Sequence, residues 1–274
     1  MSSKTDWARD ADYLRDVQYA GAGNLAARAN IHAKYGRGDW FAWLAAQPHW
    51  PGTGDILEIG CGPGWFWTHA PPFVERGVRL CLTDLSAGMV SDAVARARSL
   101  RWWRDVAGEV ADAAALPFAD SSFDAVLASH MLYHLPDPRD GLAQIARVLR
   151  QGGSAVIATN GLMNLHELLE LSRQVFGGPP GDAVSGAFAF ENGQAMLEAV
   201  FSRVELRRYP DRLVCTDPAD VFGYLTSSPP GDGASAGERA ALRDAIAAAF
   251  AAGDGVLTVT KDVGVFLCGG ADLN

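Results

Sequence analysis

Three acids and three glycines carry the strongest chemical signal in the sequence. In DILEIGCGPGWFW, residues 55–67, Gly60, Gly62 and Gly64 follow an apolar run that holds one acid, Glu58. Glycines at that spacing let backbone approach a ligand with no Cβ in the way and admit positive φ. LTDLS places Asp84 at the end of the next apolar run, one β-α-β unit further on, where an acid accepts hydrogen bonds from ribose hydroxyls or caps the helix that starts near Ser86. Asp112 in VADAAALPF follows a third run, where an acid is able to cap its own loop. A dinucleotide fingerprint wants Gly or Ala at the position of Trp65, and a P-loop wants Lys and Ser or Thr after the last glycine; neither is met. Acids around a glycine loop, with no basic phosphate clamp, suit a nucleoside that carries positive charge.

Histidines supply the second signal. SHMLYHLPD spaces His130 and His134 four apart with Tyr133 between them, but the glutamate of an HExxH zinc motif is missing, so no metal is read there. Both are catalytic candidates. His130 suits binding, positioning or proton transfer, and His134 suits a structural hydrogen bond near the helix after Pro136. Tyr19, His32 and Tyr35, on N-terminal helices, either pack against the core or belong to a lid over the substrate. Tyr133, His166 and Glu167 are further candidates for the substrate side, the last two as half-exposed helix residues that meet a pocket.

The elements that must position these groups follow from patterning. Apolar spacings of three and four from residue 5 to about 47 give helices before the core. After Gly54, short apolar runs (DILEI, VRLCLTD, GEVADA, FDAVLAS, GSAVIAT) alternate with helical segments, the mark of strands buried on both faces in a mostly parallel sheet. Pro71–Pro72 cut short the helix after the glycine loop. Residues 162–176 and ENGQAMLEAVF read as helices, VELRRYPDRLVC as a strand, and VLTVTKDVGVFLCG as closing strand material. A chain of 274 residues, 49% hydrophobic, buries a full core. A net charge of −9 and a sequence pI near 5.1 argue against nucleic acid and anionic membranes as partners. Cys61, Cys81, Cys215 and Cys268 match no zinc or disulfide spacing, and no apolar run reaches the length of a membrane span; a soluble cytoplasmic protein is expected.

DILEIGCGPG, LTDLSAGMV, VADAAALPF, FDAVLASHMLYHLPD and LRQGGSAVIAT, in that order and spacing, resemble the class I S-adenosylmethionine-dependent methyltransferases over about residues 55–160. Flanking stretches such as NLAARANIHAKYGRGDWFAWL are similar to a bacterial subgroup acting on small molecules. The resemblance implies an α/β fold: a Rossmann-like, seven-stranded, mostly parallel sheet with helices on both faces, plus N-terminal helices and helical cap insertions. The expected organisation is a lid at 1–50, a cofactor-binding core at 51–160 and a sheet-completing part with cap helices at 161–274, integrated as one domain.

It also implies roles. Glu58 would stabilise the loop and the region of the methionine amino group, while Gly60, Cys61, Gly62 and Gly64 would line methionine and ribose. Asp84, with Leu85 beside it, would hold the ribose hydroxyls; Met89, Asp112 and Ala113 would meet the adenine; Ser129 and His130 would face the methionine part. The cofactor would be S-adenosylmethionine and the acceptor a small organic molecule methylated on O, N or C, with a tailoring role in bacterial secondary metabolism as an association only. Three rivals stand beside this: a cyclisation or elimination using the same cofactor, a nicotinamide-dependent oxidoreductase, and a non-catalytic cofactor-binding subunit.

Overall fold

The computed structural model describes residues 23–178 and 185–271. Seven strands form one sheet in the order β3-β2-β1-β4-β5-β9-β6. They are β1 (Thr53–Ile59), β2 (Gly77–Asp84), β3 (Asp105–Val110), β4 (Phe123–Ser129), β5 (Leu149–Asn160), β6 (Phe201–Arg208) and β9 (Val263–Ala271). β1 to β5 pair in parallel, and β9 runs antiparallel to both β5 and β6. The mostly parallel sheet expected from the alternating pattern forms, with the seven strands that the family resemblance implies. Its carboxyl edge therefore collects the ends of β1 to β6 and the start of β9.

Each face of the sheet carries its own core, and strand parity decides which residue goes where. Leu57 and Ile59 of β1 pack with Val126, Ala128 and Ile157 beneath the helix α5 (Pro138–Val148) and α7 (Phe190–Glu198). Ile56 points to the other face, with Leu80, Leu82, Ala125 and Leu127, under α2 (Trp40–Ala45), α3 (Phe66–His69) and α4 (Ala87–Ser99). Glu58 shares the parity of Ile56, so its side chain enters that second apolar layer. The short α3 meets the expectation set by Pro71–Pro72.

Local signals set the helix starts. Ser86 accepts from the Met89 N–H and caps α4, and Asp137 caps α5 ahead of Pro138 at its first position. A third apolar cluster lies in the cap. It joins Ile31 and Tyr35 of α1 (Gly23–Tyr35) to Leu168 and Leu171 of α6 (His166–Phe176), to α8 (Pro218–Leu225) and α9 (Ala236–Ala252), and to a two-stranded sheet. That sheet, β7 (Arg212–Cys215) against β8 (Leu257–Thr260), corrects the reading of VELRRYPDRLVC as a single strand. Pro210 has no N–H to give a ladder, and the chain turns at Tyr209–Asp211, leaving the main sheet after β6 and entering the cap as β7. The closing segment splits likewise at Lys261–Asp262 into β8 and β9.

Candidate functional site

The glycine loop sits at the carboxyl end of β1, where β-α connections of a parallel sheet gather ligands. Gly60, Gly62 and Gly64 have φ of +66, +50 and +73°. At Gly60 a Cβ would come within 2.7 Å of the Met131 Cβ, and at Gly64 within 2.7 Å of the Ala93 Cα, so both positions need glycine for close approach as well as for conformation. Cys61 continues the ladder by donating its N–H to the Thr83 carbonyl at 2.8 Å, and burial pushes its thiol pKa up, out of reach of ionisation at neutral pH.

Asp84 holds this loop. One carboxylate oxygen accepts from the Gly62 N–H at 3.0 Å and the other from the Ser86 N–H at 2.9 Å. Burial raises its pKa, an effect partly offset by these backbone donors. Since Ser86 itself caps α4, the carboxylate is spare to that helix, and each oxygen keeps a lone pair for a further donor. Asp84 thus braces the loop at Gly62. Glu58 accepts a 2.6 Å hydrogen bond from the Trp67 indole N–H, inside the layer to which strand parity sent it, while its carbonyl accepts from the Thr83 hydroxyl. Desolvation lifts the Glu58 pKa to about 8; the Trp67 bond opposes the rise and the nearby Asp84 adds to it. Trp67 has no sequence signal of its own beyond being apolar and close to the loop.

The other cofactor candidates lie around the same edge with more local duties. Leu85 is half-buried beside Asp84, and Met89 is buried in the first turn of α4. The Asp112 side chain is exposed and accepts from the Ala114 N–H at 2.8 Å, so it caps its own loop with one oxygen. Ala113 is buried in the first core layer. Ser129 is half-buried at the end of β4 and pairs with Ala158.

His130 follows Ser129 at the end of β4. Its φ is +55°, uncommon for a residue with a Cβ, and its N–H is anchored on the Ala158 carbonyl at 2.9 Å. The Trp40 ring covers it at 5.4 Å. Desolvation first, then the positive fields of His32, Lys261 and His134, lower its pKa to about 4. His32 drops to about 4 as well, through burial and Lys261, with Asp211 pulling the other way. Both imidazoles are neutral at physiological pH and weak as bases.

The remaining candidates separate from this pair. Tyr35 donates to Asp220 of α8 at 2.6 Å and packs in the cap core, so the structure gives it a helix-joining place. Tyr133 is buried in the first core layer, its ring 4.7 Å from that of His134, which is half-buried in a single 3₁₀ turn, Leu132–His134. His166 is exposed at the start of α6, and Glu167 bonds the Thr260 N–H and hydroxyl, tying α6 to β8. Tyr19 lies outside the described residues. The sequence reading did not single out Trp40, Tyr209, Asp211 and Lys261, which come from three distant segments and meet beside His130 only in the fold.

Among the described residues no helix is long and apolar enough to cross a membrane. Residues 57–157 match the family described as a methyltransferase domain. Malonyl-[acyl-carrier protein] O-methyltransferase of Hahella chejuensis is 38% identical over 125 residues, 45% of this chain and 43% of that protein. Demethylmenaquinone methyltransferase of Beutenbergia cavernae is 35% identical over 154 residues, 56% of this chain and 54% of that protein. The chain thus spans about half the length of these curated relatives. Among solved structures, the YcgJ protein of Bacillus subtilis superposes with a TM-score of 0.58 at 18% identity, covering 85% of this chain and 98% of that one, a likeness of fold.

Proposed function

We infer that this chain, a class I S-adenosylmethionine-dependent methyltransferase whose family domain spans residues 57–157, methylates a small organic acceptor. The observation that carries the reading is the loop itself: three positive-φ glycines clear of Cβ atoms, with the Gly62 N–H fixed by a carboxylate that retains accepting capacity. The donor set fits a cationic nucleoside better than a pyrophosphate, because the Asp84 carboxylate stands at a strand end and already takes the Gly62 N–H that a phosphate would need free. Bound there, S-adenosylmethionine supplies a methyl carbon already made electrophilic by the sulfonium charge.

The protein's own work is then orientation and exclusion of water. Asp84 offers its remaining lone pairs to the ribose hydroxyls; Gly60, Cys61, Gly62 and Gly64 form the wall beside ribose and methionine. Met89, Leu85, Asp112 and Ala113 border the base, Asp112 through the oxygen its loop leaves unused. Ser129 and His130 border the methionine part, and the Trp40 ring closes over His130. The O-methyltransferase and quinone methyltransferase relatives support a small acceptor. Four free, scattered cysteines suit a reducing compartment, the cytoplasm.

Calorimetric titration with S-adenosylmethionine, S-adenosylhomocysteine and NADH tests the reading. The two sulfur nucleosides bind and NADH does not; the reverse pattern discards the assignment. Asp84→Ala weakens both sulfur nucleosides about tenfold or more, the size of one or two lost hydrogen bonds to a charged group, and unchanged affinity removes Asp84 from the site. Mass analysis of the product, a gain of one methyl in place of one hydrogen, separates methylation from cyclisation or elimination.

A further inference from the structure

Six side chains meet at the carboxyl edge beyond β4, β5, β9 and β6. Trp40 is the hub, its ring 5.4 Å from His130 on one side and 5.4 Å from Tyr209 on the other. The Lys261 ammonium lies 4.9 Å from the Tyr209 ring centre and donates to Asp211 at 3.0 Å; the two charged side chains are 6% and 2% exposed. His32 completes the group from α1, in the field of both charges.

The hydrogen bonding of this group is incomplete. The Tyr209 hydroxyl and the His32 Nδ1 are buried with no partner among the described residues. Lys261 carries three N–H donors, and its one hydrogen bond there goes to Asp211. Asp211, by contrast, has a donor on each oxygen: it takes Lys261 on one and the Arg37 backbone N–H on the other, and it sits against Gly36, where a Cβ would approach it to 3.1 Å. An ion pair serving only to staple the 209–211 turn to the β8–β9 turn would leave no surplus of buried donors. Here the unmet capacity is on the cation, the phenol and a neutral imidazole. The Lys261 charge lowers the pKa of both His32 and His130, while Asp211 acts on His32 in the opposite direction.

We propose that Lys261, Tyr209 and His32 form a seat for an anionic oxygen of the methyl acceptor, a carboxylate or an ionised enol or phenol, and that the transfer is O-methylation of that group. The proposal rests on the methyltransferase reading above and narrows its substrate class. An acceptor that arrives ionised needs no base from the protein, in keeping with two histidines that stay neutral. An oxygen lone pair forms the new C–O bond as the C–S bond of S-adenosylmethionine breaks. The acceptor's negative charge and the sulfonium charge cancel, giving a neutral ester or ether and S-adenosylhomocysteine, with no proton released.

The test uses protein saturated with S-adenosylhomocysteine and three probes of one shape: benzoate, benzamide and benzylamine. Benzoate is expected to bind at least tenfold more tightly than the other two. Tyr209→Phe removes a hydroxyl that bonds nothing among the described residues, so thermal unfolding is unchanged while the benzoate margin falls several-fold. Lys261→Met combined with Asp211→Asn, which leaves no lone buried charge, abolishes the margin. Equal affinity for the three probes, absence of benzoate binding, or a margin that survives both variants overturns the seat. Failure of S-adenosylhomocysteine to bind is a separate result against the cofactor reading; the titrations then run on the free protein and still decide whether an anion is held.

Discussion

Gly64→Ala is expected to lower the thermal midpoint by roughly 5–15 °C, the equivalent of about 2–4 kcal/mol in a domain of this size, and to abolish cofactor binding. The new Cβ would stand 2.7 Å from the Cα and 2.9 Å from the Cβ of Ala93, which belong to the body of α4 and cannot swing aside. A φ of +73° adds the steric cost of a left-handed residue. Relief requires the loop and α4 to part, although Arg96 of α4 holds the Pro63 carbonyl at 2.9 Å. Gly152→Ala is the control. Its φ is +79°, but nothing lies within 4 Å of the added Cβ, so it pays the backbone cost alone, about 1 kcal/mol. Calorimetric melting of both variants separates packing from conformation, and equal losses at the two sites would remove close loop–helix packing as the reason for the glycine.

The second large effect concerns Glu58. Its folded pKa, about 8, lies above the ordinary 4.5, so between those pH values the folded chain keeps a proton that the unfolded chain has released. Stability therefore falls as pH rises through that window and levels off above it, for a total of roughly 5 kcal/mol at most. Glu58→Gln keeps an oxygen for the Trp67 indole and removes the titration. The variant's midpoint is expected to lose less than the wild type's on going from pH 5 to pH 9, so that the two curves converge or cross on the alkaline side. Parallel curves would mean that Glu58 does not titrate in this window. If the cofactor's positive charge binds near Glu58, it favours the ionised form, and cofactor binding near pH 7 then releases a proton in the wild type and none from this site in the glutamine variant. Calorimetry in buffers of different ionisation enthalpy reads that difference directly.

The two halves of the proposed site, for cofactor and for acceptor, differ in how much of them the sequence displayed. The cofactor half is built from strand ends and the turns that follow them, so Gly60, Gly62, Gly64 and Asp84 each carry a local signature: a glycine, or an acid at the end of an apolar run. The mostly parallel sheet was legible for the same reason, as was the short α3 ahead of Pro71–Pro72, while the count of seven strands came from the family resemblance. Asp112 showed the limit of such signatures, since an acid at a strand end also caps its own loop. The acceptor half has no local signature. Asp211 and Lys261 are 50 positions apart and lie in turns whose composition is ordinary, and Trp40 reads as one more helical aromatic. Their meeting depends on β6 and β9 being neighbours and on the loop at residues 36–38 resting against the 209–211 turn, where a Cβ on Gly38 would reach 2.5 Å from the Tyr209 hydroxyl oxygen. The Glu58–Trp67 bond falls between these cases: strand parity gives the face, but only the packed layer identifies the donor.

The placement of β9 between β5 and β6 has a consequence for how the molecule assembles. β5 is a long strand with an apolar buried centre, and from Ser154 to Asn160 one edge of it is covered by residues 263–269. Until those residues leave the ribosome, β1 to β5 can pair among themselves, but that edge stays open, the geometry that recruits a strand from a second chain. β6 has no seat in the sheet before β9 arrives, since its ladder runs to β9 alone. Synthesis thus yields the cofactor loop early and the complete sheet late, and a chain stopped before residue 263 exposes an adhesive strand instead of forming a smaller enzyme.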